Sequence, residues 1–314
     1  MLFLAPIQGF TEHRFRNAFH RHFGGIDLAI APFVTLVKGK RVHPNHFRDL
    51  LPENNIGMNV IPQVIGNDPE LFIMMARDLS DLGYKSINWN LGCPKEQVAR
   101  KQRGSGLLPH PEKIDAILEK IIPAIPVTLS VKTRLGYSNP DEIDRLIPVF
   151  NRYPLDYVVI HPRTGIQMYE GDLHLHKMGS CLQSIRHPLI YSGDIYSKVD
   201  YLHRKKEYRE ISDWMLGRGL LANLFLAEEI AGIPTGTETE KKGRFKRFHD
   251  DLFRSMESSG ARERHFTNKI KEYWKFFSRM FENPSDMFDR LKVMQTKKNL
   301  YQQISLLIEE CIMK

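Results

Sequence analysis

A chain of 314 residues, 42% hydrophobic and 26% charged, is long enough for one barrel-sized domain plus a small one and too apolar for a disordered tail. No run approaches the roughly 18 apolar residues of a membrane span, and Met1 to Pro6 meets a proline too early, without a basic stretch, for a secretory signal, so a cytoplasmic protein is expected. The three cysteines, Cys93, Cys181 and Cys311, are too few and too scattered for a disulfide framework or a zinc site, and the formal charge of +8 points to a polyanionic partner.

Short apolar runs recur along the first three quarters of the chain: Leu2–Ala5, Asp27–Pro32, Pro62–Ile65, Lys85–Leu91, Val127–Lys132, Asp156–His161, Pro188–Ser192 and Asp213–Gly217. Each is short enough for a buried strand, and helix-forming patterns lie between most of them. Asp68-Pro69-Glu70 opens a helix ending near Gly83, Pro111 sits in the first turn of another, and Asn139-Pro140-Asp141-Glu142 caps a third. Eight strand and crossover units predict an α/β fold, a (β/α)8 TIM barrel. The second unit is irregular, because Val34 to Ile61 carries Pro44, Pro52 and little periodicity; an extended loop over the barrel mouth is expected there.

Active sites of this fold lie at the C-terminal ends of the strands. Pro6, Gln63, Asn90, Cys93, Lys132, His161, Gly193 and Gly217 all fall at or just beyond those ends, so the fold alone predicts that they converge on one mouth. The run Lys85–Leu91 stops on Gly92-Cys93-Pro94, which delivers Cys93 to the rim among Asn88, Asn90 and Lys95. A core would have to satisfy those polar groups, so Cys93 reads as reactive and not as a small hydrophobe. Lys132 ends the fifth strand, and a lysine aimed into a barrel mouth is costly unless an anion awaits it. Ser192-Gly193-Asp194 and Gly217-Arg218-Gly219 follow the seventh and eighth strands, where barrels build phosphate sites from backbone N–H groups.

After Ala231-Gly232-Ile233-Pro234-Thr235-Gly236-Thr237, a linker, the character changes. Phe245, Phe248, Leu252 and Met256, and then Ile270, Trp274, Phe277 and Phe281, recur at spacings of three and four, which predicts an all-α helical bundle packed on its own core. The expected division is residues 1–235 for the barrel and 236–314 for the bundle. The second part holds 17 Lys and Arg against 12 Asp and Glu, the first 28 against 25, so the positive excess is concentrated in the bundle. Arg244, Lys246, Arg247, Arg262, Arg264, Lys269 and Lys271 are expected on its outer faces.

The motifs Leu4-Ala5-Pro6-Ile7-Gln8-Gly9-Phe10-Thr11, Gln63-Val64-Ile65-Gly66, Asn90-Leu91-Gly92-Cys93-Pro94, Gly104-Ser105-Gly106, Val131-Lys132-Thr133-Arg134-Leu135-Gly136, His161-Pro162-Arg163-Thr164, Ser192-Gly193-Asp194-Ile195 and Gly217-Arg218-Gly219 stand in one order. In that order the chain resembles the tRNA-dihydrouridine synthases, flavin-dependent enzymes that reduce uridine in tRNA, over residues 1 to 233. It departs from their more usual residues at Ile7 (Met), Pro162 (Gly) and Ser192 (Asn).

The resemblance implies FMN as cofactor, NADPH as electron donor, tRNA as substrate and no metal, in a chain expected to be monomeric. It implies that Ser192, Gly193, Asp194, Gly217 and Arg218 hold the FMN phosphate and that Lys132 faces the N1–C2=O edge of the flavin. Pro6, Ile7 and Gln63 would contact its ring and pyrimidine edge, with His161 near phosphate and ring. Cys93 would protonate C5 of uracil while C6 accepts hydride from the flavin. Asn90 and Arg163 would bind the uracil edge, with Gln167 and Tyr169 positioning the nucleotide. Two other readings stand beside this one: a flavin barrel reducing a small molecule, of the dihydroorotate dehydrogenase type, and a catalytically silent RNA-binding relative. The basic helical region argues against the former, and Cys93 with Lys132 against the latter.

Overall fold

The sheet is parallel throughout, and its strand order returns to its start. The computed structural model describes residues 1–35 and 47–314. Ten strand segments make up the sheet: β1 (Leu2–Leu4), β2 (Leu28–Ile30), β3 (Val34–Thr35), β4 (Val60–Ile61), β5 (Gln63–Ile65), β6 (Ser86–Leu91), β7 (Thr128–Gly136), β8 (Val158–Thr164), β9 (Leu189–Ser192) and β10 (Asp213–Leu216). From β5 to β10 each pairs with the next, β10 pairs with β1, and β1 with β2. Segments β2 and β3 are halves of one strand, and β4 and β5 are halves of the next, parted at Pro62, which has no N–H to give a ladder. Ala29 pairs with Val60 and Ile30 with Ile61, then Val34 with Val64 and Thr35 with Ile65. Those pairings close an eight-stranded barrel, with one extra residue on the second strand between its halves, as at a bulge.

The helix signals are realised as read. Asp68 accepts from the Leu71 N–H and opens helix Pro69–Asp81, Pro111 starts helix Pro111–Ile121, and Asn139 and Glu142 cap each other's backbone ahead of Ile143–Phe150. The loop expected over Val34 to Ile61 needs correction at both ends, because Val34–Thr35 and Val60–Ile61 are strands. Their β-branched side chains favour an extended backbone, and each joins the barrel ladder. A 3₁₀ turn, Pro52–Asn54, lies between, and residues 36–46 of that stretch fall outside the described residues.

Inside the barrel, Phe3, Ala5, Ile30, Ile61, Val159, Ile190 and Met215 form one apolar cluster. A polar layer of Gln63, Asn88, Asn90 and Ser130 lies along the strands leading to the mouth. The C-terminal region is helical, with Glu238–Glu257, Glu263–Phe277, Pro284–Lys292 and Lys297–Glu310, the first capped by Thr237. Phe245, Phe248, Leu252, Ile270, Trp274, Phe277 and Phe281 are buried at the expected spacing, with Phe245 edge-on to Trp274, Phe277 and Phe281.

This core is not the bundle's own, however. Phe15 of helix His13–His22 meets Phe248 and Tyr273 at 5.7 and 6.0 Å, and Phe23 meets Phe248 at 5.4 Å, so one apolar cluster runs from the barrel wall into the helices. The expected outer-face cations also divide. Arg244 is held inward by Glu228, the His22 carbonyl and the rings of Phe23 and Phe225, and Lys246 pairs with Asp250.

Candidate active site

Carbonyl and amide groups lock Cys93 onto the rim. The Asn90 Oδ1 accepts from the N–H groups of Gly92 (3.0 Å) and Cys93 (2.8 Å), turning the chain where β6 ends. The Cys93 carbonyl then accepts from both the amide and the hydroxyl of Ser105, each at 3.0 Å. A side chain at Gly104, where φ is +55°, would put its Cβ 2.7 Å from that same carbonyl, so only glycine lets the loop come back over the cysteine. The thiol is 8% exposed, and burial raises its pKa, against the smaller opposing pull of Lys95, Arg134 and Lys132. It is a protonated thiol at neutral pH.

A cavity of about 380 Å³ opens beside it, within the size range of cofactor sites. Pro6, Ile7, Asn90, Cys93, Lys132, His161, Tyr169, Ser192, Gly193, Asp194, Gly217 and Arg218 line it. Three residues predicted for the site stand behind this wall. Gln63 is fully buried with its amide committed to Asn88 (2.7 Å) and Asn90 (2.8 Å), so it supports the residue at the rim. Arg163 donates to the Gly171 and Glu170 carbonyls and to Asp194, bracing the loop after β8. Gln167 knits that loop together through Thr164, His174 and Asp172.

The site is short of negative charge. Lys95, Lys132, Arg134 and Arg218 line it, and among the described residues Asp194 is the one carboxylate that does. Burial opposes ionisation of Asp194, but Arg163 and Arg218 outweigh it and hold its pKa below the usual range. No carboxylate pairs with Lys132 among the described residues; burial, with Arg134 beside it, pushes its pKa down to about 8. Burial and then Arg134 drive His161 well below its ordinary pKa, so it stays neutral. Tyr169 lies between two guanidinium groups, Arg218 at 4.9 Å and Arg134 at 5.3 Å from its ring centre.

Sequence reasoning missed several lining residues: Phe10, Arg134, Tyr196 and Phe276. Arg134 was within reach, since it stands two residues beyond Lys132 on one strand and shares its face. Phe276 was not, because the helical periodicity selects Ile270, Trp274 and Phe277 for the core and gives their neighbour no role.

The residues present fit FMN. Cations without carboxylate partners need an anion, and the loops after β9 and β10 bring bare backbone to the cavity at Gly193 and Gly217. They pack so closely that a Cβ on Gly219 would strike the Ile195 carbonyl at 1.8 Å. Among the described residues no group of three or more His, Cys, Asp or Glu is arranged to hold a metal, and no helix is long and apolar enough to cross a membrane.

Fold and site together define an α/β-barrel enzyme with a cation-lined cavity at its mouth. Residues 3–311 match the model of the dihydrouridine synthase family, and the chain belongs to that family of oxidoreductases. It is 26% identical over 302 residues to the tRNA-dihydrouridine(16) synthase of Pseudomonas putida, covering 92% of this chain and 91% of that one. The tRNA-dihydrouridine(16) synthase of Vibrio vulnificus is 25% identical, with 96% and 95% covered. Among solved structures, the old yellow enzyme of Trypanosoma cruzi superposes with a TM-score of 0.51 at 11% identity, covering 78% of this chain and 92% of that one, a likeness of fold.

Proposed function

We propose that this chain reduces the C5=C6 bond of a uridine in tRNA, with FMN as cofactor and NADPH as electron donor, and that Cys93 is the general acid. The observation that carries it is a buried cysteine fixed on the rim of the same cavity that a lysine without a carboxylate partner among the described residues lines. When bound and reduced, FMN supplies the hydride that C6 accepts. Ser192, Gly193, Asp194, Gly217 and Arg218 would hold its phosphate, Lys132 its pyrimidine edge, and Pro6 and Ile7 its ring, with His161 near phosphate and ring. Gln63 acts through Asn90, keeping the Asn90 Oδ1 on the Gly92 and Cys93 amides.

At C5 the developing carbanion needs a proton, and a thiol kept protonated by burial delivers one without prior activation. The Asn90 side chain spends its amide on Gln63 and its carbonyl on the turn, so its part is to aim Cys93. Arg163 fixes Asp194 and the loop that carries Tyr169, whose ring is left to orient the nucleotide. Residues 1–235 form the catalytic part and 236–314 the tRNA-binding part of a cytoplasmic monomer. The relatives matched over nearly the full chain carry position 16 in their names, which supports U16 as the target.

Mass-mapping of tRNA from a strain lacking the gene tests the reading. The target uridine should be lighter by two hydrogens than in the parent and be restored by the wild-type gene. An unchanged tRNA mass map overturns the function; a change at another position overturns U16 alone.

A further inference from the structure

Helix Glu263–Phe277 is amphipathic, and Phe266, Ile270, Tyr273, Trp274 and Phe277 bury one face of it in the shared core. Phe276 stands one position off that face, is half-buried, and lines the cavity at the barrel mouth. Its ring meets Phe10 edge-on, centroids 5.4 Å apart at 84°. The same helix holds the turn that carries Phe10: the Tyr273 hydroxyl donates to the Phe10 carbonyl at 2.6 Å, and the Lys269 ammonium lies 4.1 Å over the Phe10 ring. Lys275 and Arg279 flank Phe276, both exposed and neither ion-paired among the described residues. A half-buried aromatic side chain lining the edge of a basic cavity, with exposed cations one and three residues away in the chain, is a combination that takes a nucleobase with its phosphates.

We propose that Phe276, backed by Phe10, is the surface on which a nucleotide next to the target uridine stacks once that uridine has been drawn from the tRNA, so that the helical region contributes a substrate-contacting side chain as well as affinity. This rests on the tRNA reading above. An extracted uridine loses stacking on its neighbours, and a ring at the mouth restores it to the base left outside, at the stage when the target approaches Cys93. The contact exists only after extraction. It therefore acts on the rate with bound tRNA more than on tRNA affinity.

The test is single-turnover oxidation of the NADPH-reduced holoenzyme by saturating unmodified tRNA, with tRNA Kd and flavin content measured on the same samples. Phe276→Ala and Phe276→Leu should slow oxidation by about five- to hundredfold, the range that loss of one base–aromatic stack produces. Their tRNA Kd should shift much less, and Phe276→Tyr, which keeps a flat ring, should restore most of the rate. Flavin retained at one per chain shows that the variants are folded. If Phe276→Leu matches Phe276→Tyr, the ring is packing only and the stacking role is overturned; equal rates for Phe276→Ala and wild type overturn it too. A wild-type enzyme that tRNA does not oxidise at all sinks the functional reading first, and is told apart because every variant then behaves alike.

Discussion

Two regions of this molecule are rich in cations and treat them in opposite ways. At the barrel mouth, Lys132, Arg134 and Arg218 crowd one cavity that a single carboxylate lines among the described residues, and burial pushes the pKa of Lys132 down to about 8. In the helical region, Arg244 is tied to Glu228, Lys246 to Asp250 and Lys269 to Glu272. The difference teaches where a ligand is missing: a buried cation without its anion is unstable by itself and awaits a partner, whereas a cation already matched by a neighbour is part of the scaffold. Net charge by region pointed to the helices. Pairing points to the mouth, and within the helices to the few cations left without a carboxylate.

The largest effect expected follows from treating the helices as scaffold. Ending the chain at residue 235 uncovers Phe15 and Phe23, which are buried against Phe248 and Tyr273. Exposing both, at about 1.5–3 kcal/mol for each buried phenylalanine, removes a large part of the stability of a typical domain. The truncated barrel should show no cooperative unfolding transition by circular dichroism; one that melts like the full chain would mean that the two regions are independent after all.

Next in size is Cys93→Ala. It removes the proton for C5 and nothing that holds the cofactor, so the yellow holoenzyme should survive while oxidation by tRNA slows by about 10²–10⁴. Stopped-flow loss of reduced flavin measures it, and a slowing under about tenfold would mean that another group is the acid.

The barrel was legible because its strands are short apolar runs ended by Gly or Pro, and because the caps at Asp68, Pro111 and Asn139 are local chemistry. Once eight strands are counted, the rule that sites lie at their C-terminal ends gathers Cys93 and Gly217, whereas Lys132, expected to end its strand, lines the cavity from the middle of one that runs on to Gly136. What pattern could not give was partnership. Gln63 and Arg163 read as site residues by position, and only the hydrogen bonds show them spent on Asn90 and Asp194. Likewise the spacing of Phe245 and Phe248 reveals a buried face but not that Phe15, more than two hundred residues earlier, lies against it.

Lys132 sharpens the comparison through pH. Its pKa sits near 8 in the folded protein against 10.5 unperturbed, so between those values the unfolded chain keeps a proton that the folded chain has lost. Stability of the cofactor-free protein should therefore rise with pH across that window. Affinity for FMN should run the other way, weakening as pH climbs through about 8 and the ammonium is lost, by at most about tenfold per pH unit. Flavin fluorescence titrations at pH 7 and 9 check the sign. Lys132→Met should flatten the dependence, and Lys132→Ala with Arg218→Ala should release the flavin; a double variant that stays yellow would place the cofactor elsewhere.

The smallest effect separates the helical cations from one another. Arg262 and Arg264 open helix Glu263–Phe277 exposed and without an ion pair among the described residues, on the helix whose far end carries Phe276 into the cavity. Arg244 and Lys246 are occupied by Glu228 and Asp250. Phosphate contacts release counterions, so each one lost should lower the slope of log K for tRNA against log salt by about one unit. Arg262→Ala with Arg264→Ala should then flatten that slope by up to about two units and leave the melting temperature nearly unchanged, since exposed cations contribute little to stability. Arg244→Ala should do the reverse, lowering the melting temperature because Glu228, 3% exposed, loses its partner, while the salt slope holds. If Arg244→Ala changed the slope and the Arg262–Arg264 pair did not, pairing would be no guide to which cations face the RNA.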